Sequence, residues 1–315
     1  MKRYLRAAAA LLFVFIITVS ALLTTPYGLT GDGEGSAGAG TYGENGAGTA
    51  DASAPVRAEQ EETEDGFLDR RLYCTVLGDS IAKGYSDDKS VQIACYGELA
   101  AREIAAEKQE PFTVRNYARN GLASKGMNEK ILTQRQVLMD LEKSNLILIT
   151  IGSNDLLNEC KRAVQEILKT DAKFRSADEA LSVLEDAVKS NPLLIIRIID
   201  AISNWDYQSF EVQWMQMMET VNSVRRDTTQ VIVTDIYNPV VNMKLPSTMN
   251  QVVEDIIGNM NSVIEKHAGT YGYSVVRVSE STICAHVQSD GLHPDQMGQQ
   301  IIAELVTEQY RAESE

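Results

Sequence analysis

No Gly-x-Ser-x-Gly elbow and no Cys-x-x-Cys pair occur in this chain, and neither a P-loop nor a Gly-x-Gly-x-x-Gly turn follows its first predicted strand. The first absence excludes the strand-to-helix serine elbow, and the missing glycine-rich turns exclude the common phosphate cradles of nucleotide-binding folds. Four cysteines, Cys74, Cys95, Cys160 and Cys284, show no metal-ligand spacing with the three histidines, so neither a metal nor an organic cofactor is expected. They would allow three disulfide connectivities, and nothing in the spacing prefers one pairing, or any pairing, over a buried thiol at Cys74. Clustered basic residues are also missing after Arg6, and the formal net charge is -15. Nucleic acid is thereby excluded as a partner, since phosphate binding needs grouped Lys and Arg.

The chain does have a basic start, Lys2, Arg3 and Arg6, followed by an apolar run from Ala7 to Leu23 that is broken only by Thr18 and Ser20. Residues 1–28 therefore read as a signal peptide or a membrane anchor, long enough to insert in a membrane and with a small-residue stretch, Val19-Ser20-Ala21, suited to cleavage. No cysteine stands just after the run to carry a lipid. Residues 29–66 are rich in Gly and Ala, with nine acids against one Arg and few large apolar side chains. Such a segment reads as a disordered acidic linker, and as a flexible coil it would span about 35 Å on average. An extracytoplasmic protein, secreted or tethered to a membrane, is the expectation.

From Phe67 the chain changes character, and residues 67–315 read as one domain. Short β-rich runs at Tyr73 to Leu77, Thr113 to Asn116, Leu146 to Ile151, Val231 to Ile236 and Tyr273 to Val278 alternate with segments of helical spacing such as "YGELAAREIAAEKQ" and "VVEDIIGNMNSVIEKHAG". Alternation of this kind predicts a five-stranded parallel sheet with helices on both faces, an α/β sandwich of three layers. Ligands of such sheets bind at the carboxyl ends of the strands.

The residues at those ends are polar. The first strand runs into Gly78-Asp79-Ser80, the second is followed by Asn120-Gly121, the third by Gly152-Ser153-Asn154-Asp155, and the fifth by a loop with Asp290 and His293. A serine hydroxyl, a histidine to take its proton, a carboxylate to orient the histidine and donors for an oxyanion are the parts of acyl transfer. Ser80, His293 and Asp290 fill the first three roles; the N–H groups of Ser80 and Gly121 and the Asn154 amide fill the last. Blander roles exist for each: Ser80 as a helix N-cap, Gly121 as a positive-φ turn residue, Asn154 as a turn residue. Asp79 reads as a loop anchor and Asp155 as a brace for its turn. His267 reads as a partner of a helix C-terminus. His286 is the one rival base, without an Asp three residues before it.

Taken in order, "GDS", "NG", "GSND" and "DGLHP" resemble the four sequence blocks of the SGNH hydrolase (GDSL esterase/lipase) family. That resemblance extends from about Tyr73 to the C-terminus with a poorly matched middle. It implies a flavodoxin-like sandwich, Ser80 as nucleophile, His293 as base oriented by Asp290, and Gly121 and Asn154 as oxyanion donors. The implied activity is hydrolysis of carboxylic esters through an acyl-enzyme, on lipids or on O-acetylated glycans. A non-catalytic glycan-binding or scaffold domain that keeps the fold is the alternative.

Between the third and fourth strands, about residues 156–228, lies a helical insertion that includes "NPLLIIRIIDAISNW". It is apolar on nearly every face. As a cap over the site, Leu193, Ile196, Ile199, Trp205, Trp214 and Met215 would hold an acyl chain; the preferred reading is an ordinary packed insertion.

Overall fold

The computed structural model describes residues 71–169, 186, 187, 190, 191, 193–242 and 247–314. The expected signal or anchor segment and the acidic linker lie outside the described residues. Among those described, no helix is long and apolar enough to cross a membrane.

The strands are β1 (Leu72–Gly78), β2 (Phe112–Asn116), β3 (Leu146–Thr150), β4 (Gln230–Thr234) and β5 (Ser274–Val276). All pair in parallel, in the order β2-β1-β3-β4-β5, with Gly78 opposite Thr150 and Val76 opposite Asn116 at the carboxyl end of β1. This is the flavodoxin-like order. The helices, in chain order, are α1 (Ser80–Lys83), α2 (Tyr96–Lys108), α3 (Ser124–Gly126), α4 (Arg135–Lys143), α5 (Ser153–Leu168), α6 (Leu194–Ser203), α7 (Tyr207–Val224), α8 (Ser247–Lys266), α9 (Ala268–Tyr271) and α10 (Gln296–Ser314).

The alternation of side chains along each strand divides the interior into two cores. On one face Leu146 and Leu148 of β3 and Val76 of β1 pack with Ile104 of α2 and Ile302 of α10. On the other, Ile147 and Ile149 pack with Leu141 of α4, Trp214 of α7 and Met260 of α8. Leu146 to Ile149 are all fully buried, each such side chain contributing about 1.5–3 kcal/mol. A strand buried on both faces reads as a continuous apolar run, which explains "LILI".

The insertion after β3 supplies α5, α6 and α7. Trp214 is fully buried, and its indole N–H donates to the Tyr273 hydroxyl at 3.0 Å. Helix α6 lies at the surface, where Ile196 and the preceding Leu193 are exposed. Its apolar sequence therefore does not mean burial on every side. Cys74 and Cys95 are buried free thiols.

Candidate active site

The first strand stops on a serine because three local features turn the chain there. Gly78 sits at φ +153°, and a Cβ on it would lie 2.3 Å from the Thr150 carbonyl oxygen of the neighbouring strand. Asp79 then caps the single turn of α1, its Oδ1 accepting from the Ile81 N–H at 2.9 Å. Gly84, in the left-handed region at φ +73°, ends that turn. Ser80 is left at the head of α1, nearly buried, with its hydroxyl at the edge of the sheet.

His293 comes to it from a loop 213 residues later, its Nε2 2.8 Å from Ser80 Oγ. On the far side of the ring, Nδ1 lies 2.5 Å from Asp290 Oδ2. The other Asp290 oxygen accepts the backbone N–H groups of Leu292 and His293 at 2.8 and 3.0 Å, so this carboxylate folds its own loop around the imidazole. Burial pushes the Asp290 carboxyl up, but those hydrogen bonds and the neighbouring ring outweigh it and hold the group below the usual range.

Several residues that the sequence did not single out hold the imidazole in place. Tyr85 packs against it with ring centroids 4.4 Å apart. The Gln288 amide donates to the Tyr85 and Pro294 carbonyls at 2.8 and 2.7 Å and accepts from the Asp87 N–H at 2.9 Å. The Tyr237 hydroxyl donates to the Leu292 carbonyl. His286, the rival base, instead offers its backbone carbonyl to the Asp295 N–H, and it is His293 that reaches Ser80.

Ser80, Asn120, Gly121, Asn154 and His293 line one cleft, which encloses about 80 Å³. Leu156, Leu157, Ile236, Pro239 and Ile257 make its apolar side. Gly121 occupies the left-handed region at φ +72°, as its turn requires. Asn154, buried on the first turn of α5, donates from Nδ2 to Asp79 Oδ2 at 3.2 Å. Asp79 is thus more than a loop anchor: it is fully buried and tied to the helix that carries Ser80 and to Asn154 at once. Burial drives its carboxyl up to about 6, against the pull of Ile81, His293 and Asn154.

Other expectations shift. Asp155 does not brace its own turn; its carboxylate reaches across to Ser124, Oδ2 accepting the N–H at 2.9 Å and Oδ1 the hydroxyl at 2.5 Å. His267 pairs through Nε2 with Glu211 at 2.6 Å, so its partner is a carboxylate of α7 and not a helix terminus. Neither Trp205 nor Trp214 lines the cleft, nor do Leu193, Ile196 and Met215; both tryptophans are buried in the core, and the Ile199 side chain lies outside the described residues. Among the described residues no cluster of His, Cys, Asp and Glu is arranged to hold a metal ion.

A family model, GDSL-like Lipase/Acylhydrolase, matches residues 75–306. The chain belongs to this family. Membership makes it a carboxylic ester hydrolase, and the alternative of a non-catalytic domain is set aside. Similar solved structures include a lipase, Lip_vut3, from a goat rumen metagenome, with 16% identity and a TM-score of 0.53 over 75% of this chain and 95% of that one. Another is phospholipase A1 from Streptomyces albidoflavus NA297, with 15% identity and a TM-score of 0.50 over 75% of this chain and 98% of that one. At such identities the likeness is one of fold. No curated protein matches the sequence.

Proposed function

We propose that this GDSL-family hydrolase is exported and cleaves esters of short acyl groups, with Ser80 as nucleophile, His293 as general base and acid, and Asp290 as the carboxylate that orients it. The observation that carries the reading is the unbroken hydrogen-bonded line from Ser80 Oγ through the imidazole to Asp290. His293 Nε2 takes the hydroxyl proton as Oγ attacks the ester carbonyl, and returns it to the departing alcohol. Water then attacks the acyl-Ser80 ester by the same route. The developing oxyanion is stabilised by the N–H groups of Ser80 and Gly121 and by Asn154 Nδ2, each donor worth about 3–4 kcal/mol in the transition state.

The short-acyl preference comes from the cleft. A dry engineered cavity of about 150 Å³ accepts benzene, so the 80 Å³ here, with an apolar side, suits an acyl group of about two to four carbons. Export is supported by the basic and apolar start of the chain, Lys2 to Leu23.

The experiment is to treat the protein with a fluorophosphonate probe, locate the adduct by mass spectrometry, and then compare acetate, butyrate and octanoate p-nitrophenyl esters. Labelling at Ser80 that is lost in Ser80→Ala is expected, with kcat/KM falling from butyrate to octanoate. A folded protein that takes no label would overturn the nucleophile; a preference for octanoate would overturn the short-acyl assignment.

A further inference from the structure

The two oxyanion donors outside the nucleophile come from strands that do not touch. The Gly121 loop follows β2 and Asn154 follows β3, and β1 lies between those two strands, paired with each. Two strand spacings separate those strands, about 9–10 Å, and no ladder hydrogen bond runs directly between them or reaches the loops beyond their ends. The Gly121 loop is held at its start, where the Arg119 N–H donates to the Gly78 carbonyl at 3.0 Å. At its end it is held by Asp155.

We propose that Asp155 is a positioning residue that sets the separation of the Gly121 and Asn154 donors by clamping Ser124. This rests on the oxyanion roles assigned to Gly121 and Asn154 above. Asp155 directly follows Asn154, and Ser124 stands three residues after Gly121, so the clamp joins the two donor segments within three residues of each donor. A first-turn acid ordinarily serves its own helix. Here the Asp155 N–H bonds to the Gly152 carbonyl at 3.0 Å, while both carboxylate oxygens cross to Ser124, at 2.9 and 2.5 Å. Ser124 is fully buried, so its end of the clamp has no freedom to follow a moving loop. Asn154 is held separately by Asp79. Each donor segment thus has its own carboxylate, and neither carboxylate is needed to touch the substrate.

A simple stabilising cap for α3 would act equally whether or not Asn154 is present, and this separates the two roles. The experiment measures kcat and KM with p-nitrophenyl acetate for the parent, Asp155→Asn, Asn154→Ala and the double variant, with thermal melts to verify folding. Asp155→Asn leaves a neutral carbonyl to accept the Ser124 N–H and makes the Ser124 hydroxyl turn to accept from the amide, so two charge-assisted hydrogen bonds become weaker neutral ones, and it is expected to lower kcat by about 10-fold with KM changed by no more than about twofold. In the Asn154→Ala background the same substitution is expected to cost about threefold or less. Equal fold losses in the two backgrounds, or a folded Asp155→Asn with the parent's kcat, would overturn the proposal. Should Asp155→Asn not fold, Ser124→Ala, which removes one of the two clamp hydrogen bonds, is run through the same comparison and is judged by the same criteria. A parent that neither turns over ester nor labels at Ser80 would overturn the clamp together with the functional reading, whereas an active parent with an impaired Asn154→Ala and an unaffected Asp155→Asn would overturn the clamp alone.

Discussion

Replacing Asp79 by Asn should make the protein more stable and nearly inactive. The carboxyl is fully buried, and burial raises it from 3.8 to about 6. A rise of about two units means that the ionised form is disfavoured in the fold by roughly 3 kcal/mol relative to the unfolded chain. Below about pH 4 the group is protonated in both states and costs nothing. Between about pH 4 and 6 the folded protein keeps a proton that the unfolded chain has released, so this group makes stability fall as pH rises. Above about pH 6 the full cost applies. Asp79→Asn removes it, and its carbonyl oxygen can still accept from the Ile81 N–H. At the other oxygen's place, however, an amide N–H now meets Asn154 Nδ2, 3.2 Å away in the parent. The two donors are relieved if the Asn154 amide turns over, which presents its carbonyl oxygen to the cleft in place of Nδ2. The proposed oxyanion donor then becomes an acceptor, with a loss of about 10²–10³ in kcat. Urea denaturation at pH 4 and pH 7 with kcat at pH 7 reads both effects. The expectation is a gain of about 1–3 kcal/mol at pH 7 that vanishes at the lower pH, with kcat down at least about a hundredfold. A variant within threefold of the parent's kcat, or one less stable at pH 7, would refute the reasoning.

Gln288→Ala removes two hydrogen bonds that join the Tyr85 to Asp87 segment to the His293 loop and a third, to the Pro294 carbonyl, within that loop. It should lower stability by about 1–3 kcal/mol in urea denaturation and kcat by about tenfold, and an unchanged kcat would show that the loop holds His293 without it. Gly78→Ala has no such room for compromise: a Cβ 2.3 Å from the Thr150 carbonyl oxygen must push β1 from β3. A loss of more than about 3 kcal/mol, seen as a lower melting temperature or insoluble expression, is expected, and a parent-like melt would contradict the close approach.

The sheet was legible because its strands are buried on both faces, so that runs such as Leu146 to Ile149 had to be apolar without interruption. Strand ends were less legible, for a reason visible at β4 and β5. The runs suggested extension to Ile236 and Val278, yet past Thr234 the Ile236 N–H donates to the Asn261 side chain and Asp235 accepts from the Ser279 N–H. Side chains take over from the ladder there, and an apolar pattern carries no trace of the exchange. At the site, the grouping of Ser80, His293 and Asp290 was legible because the proposed acyl transfer would restrict those positions to a few residue types. Gln288, Tyr85 and Ser124 were not, since their work is to meet carbonyl groups, a ring face and a carboxylate, which many residue types can do. The distance along the chain, about two hundred residues between Gln288 and Tyr85, removes any local signal. Nor did the apolar sequence of α6 disclose that Leu193 and Ile196 face outward while the tryptophans of the same insertion go to the core.

The supporting groups share a physical character that bears on why the site holds its shape. Ser80 and His293 stand 213 residues apart, on a one-turn helix and a loop, neither of which is rigid alone. What joins them is a set of amides and carboxylates at the seams between elements. Gln299, fully buried, donates to the Ile81 carbonyl of α1 at 2.9 Å and accepts the Tyr96 N–H of α2 at 2.7 Å, so it pins α10 to the turn that carries Ser80. Gln288 does the same for the histidine loop, Asp79 for Asn154 and Asp155 for the Gly121 loop. Apolar residues in those places would bury at less cost, because a buried polar group must first give up water. They would also leave the seams free to slide, since apolar contacts have no direction. A hydrogen bond that is expensive to leave unmade fixes both distance and angle. Stability is therefore surrendered at the seams and recovered in the two apolar cores, and substitutions that stabilise a seam by removing its polar group are the ones expected to loosen the catalytic geometry.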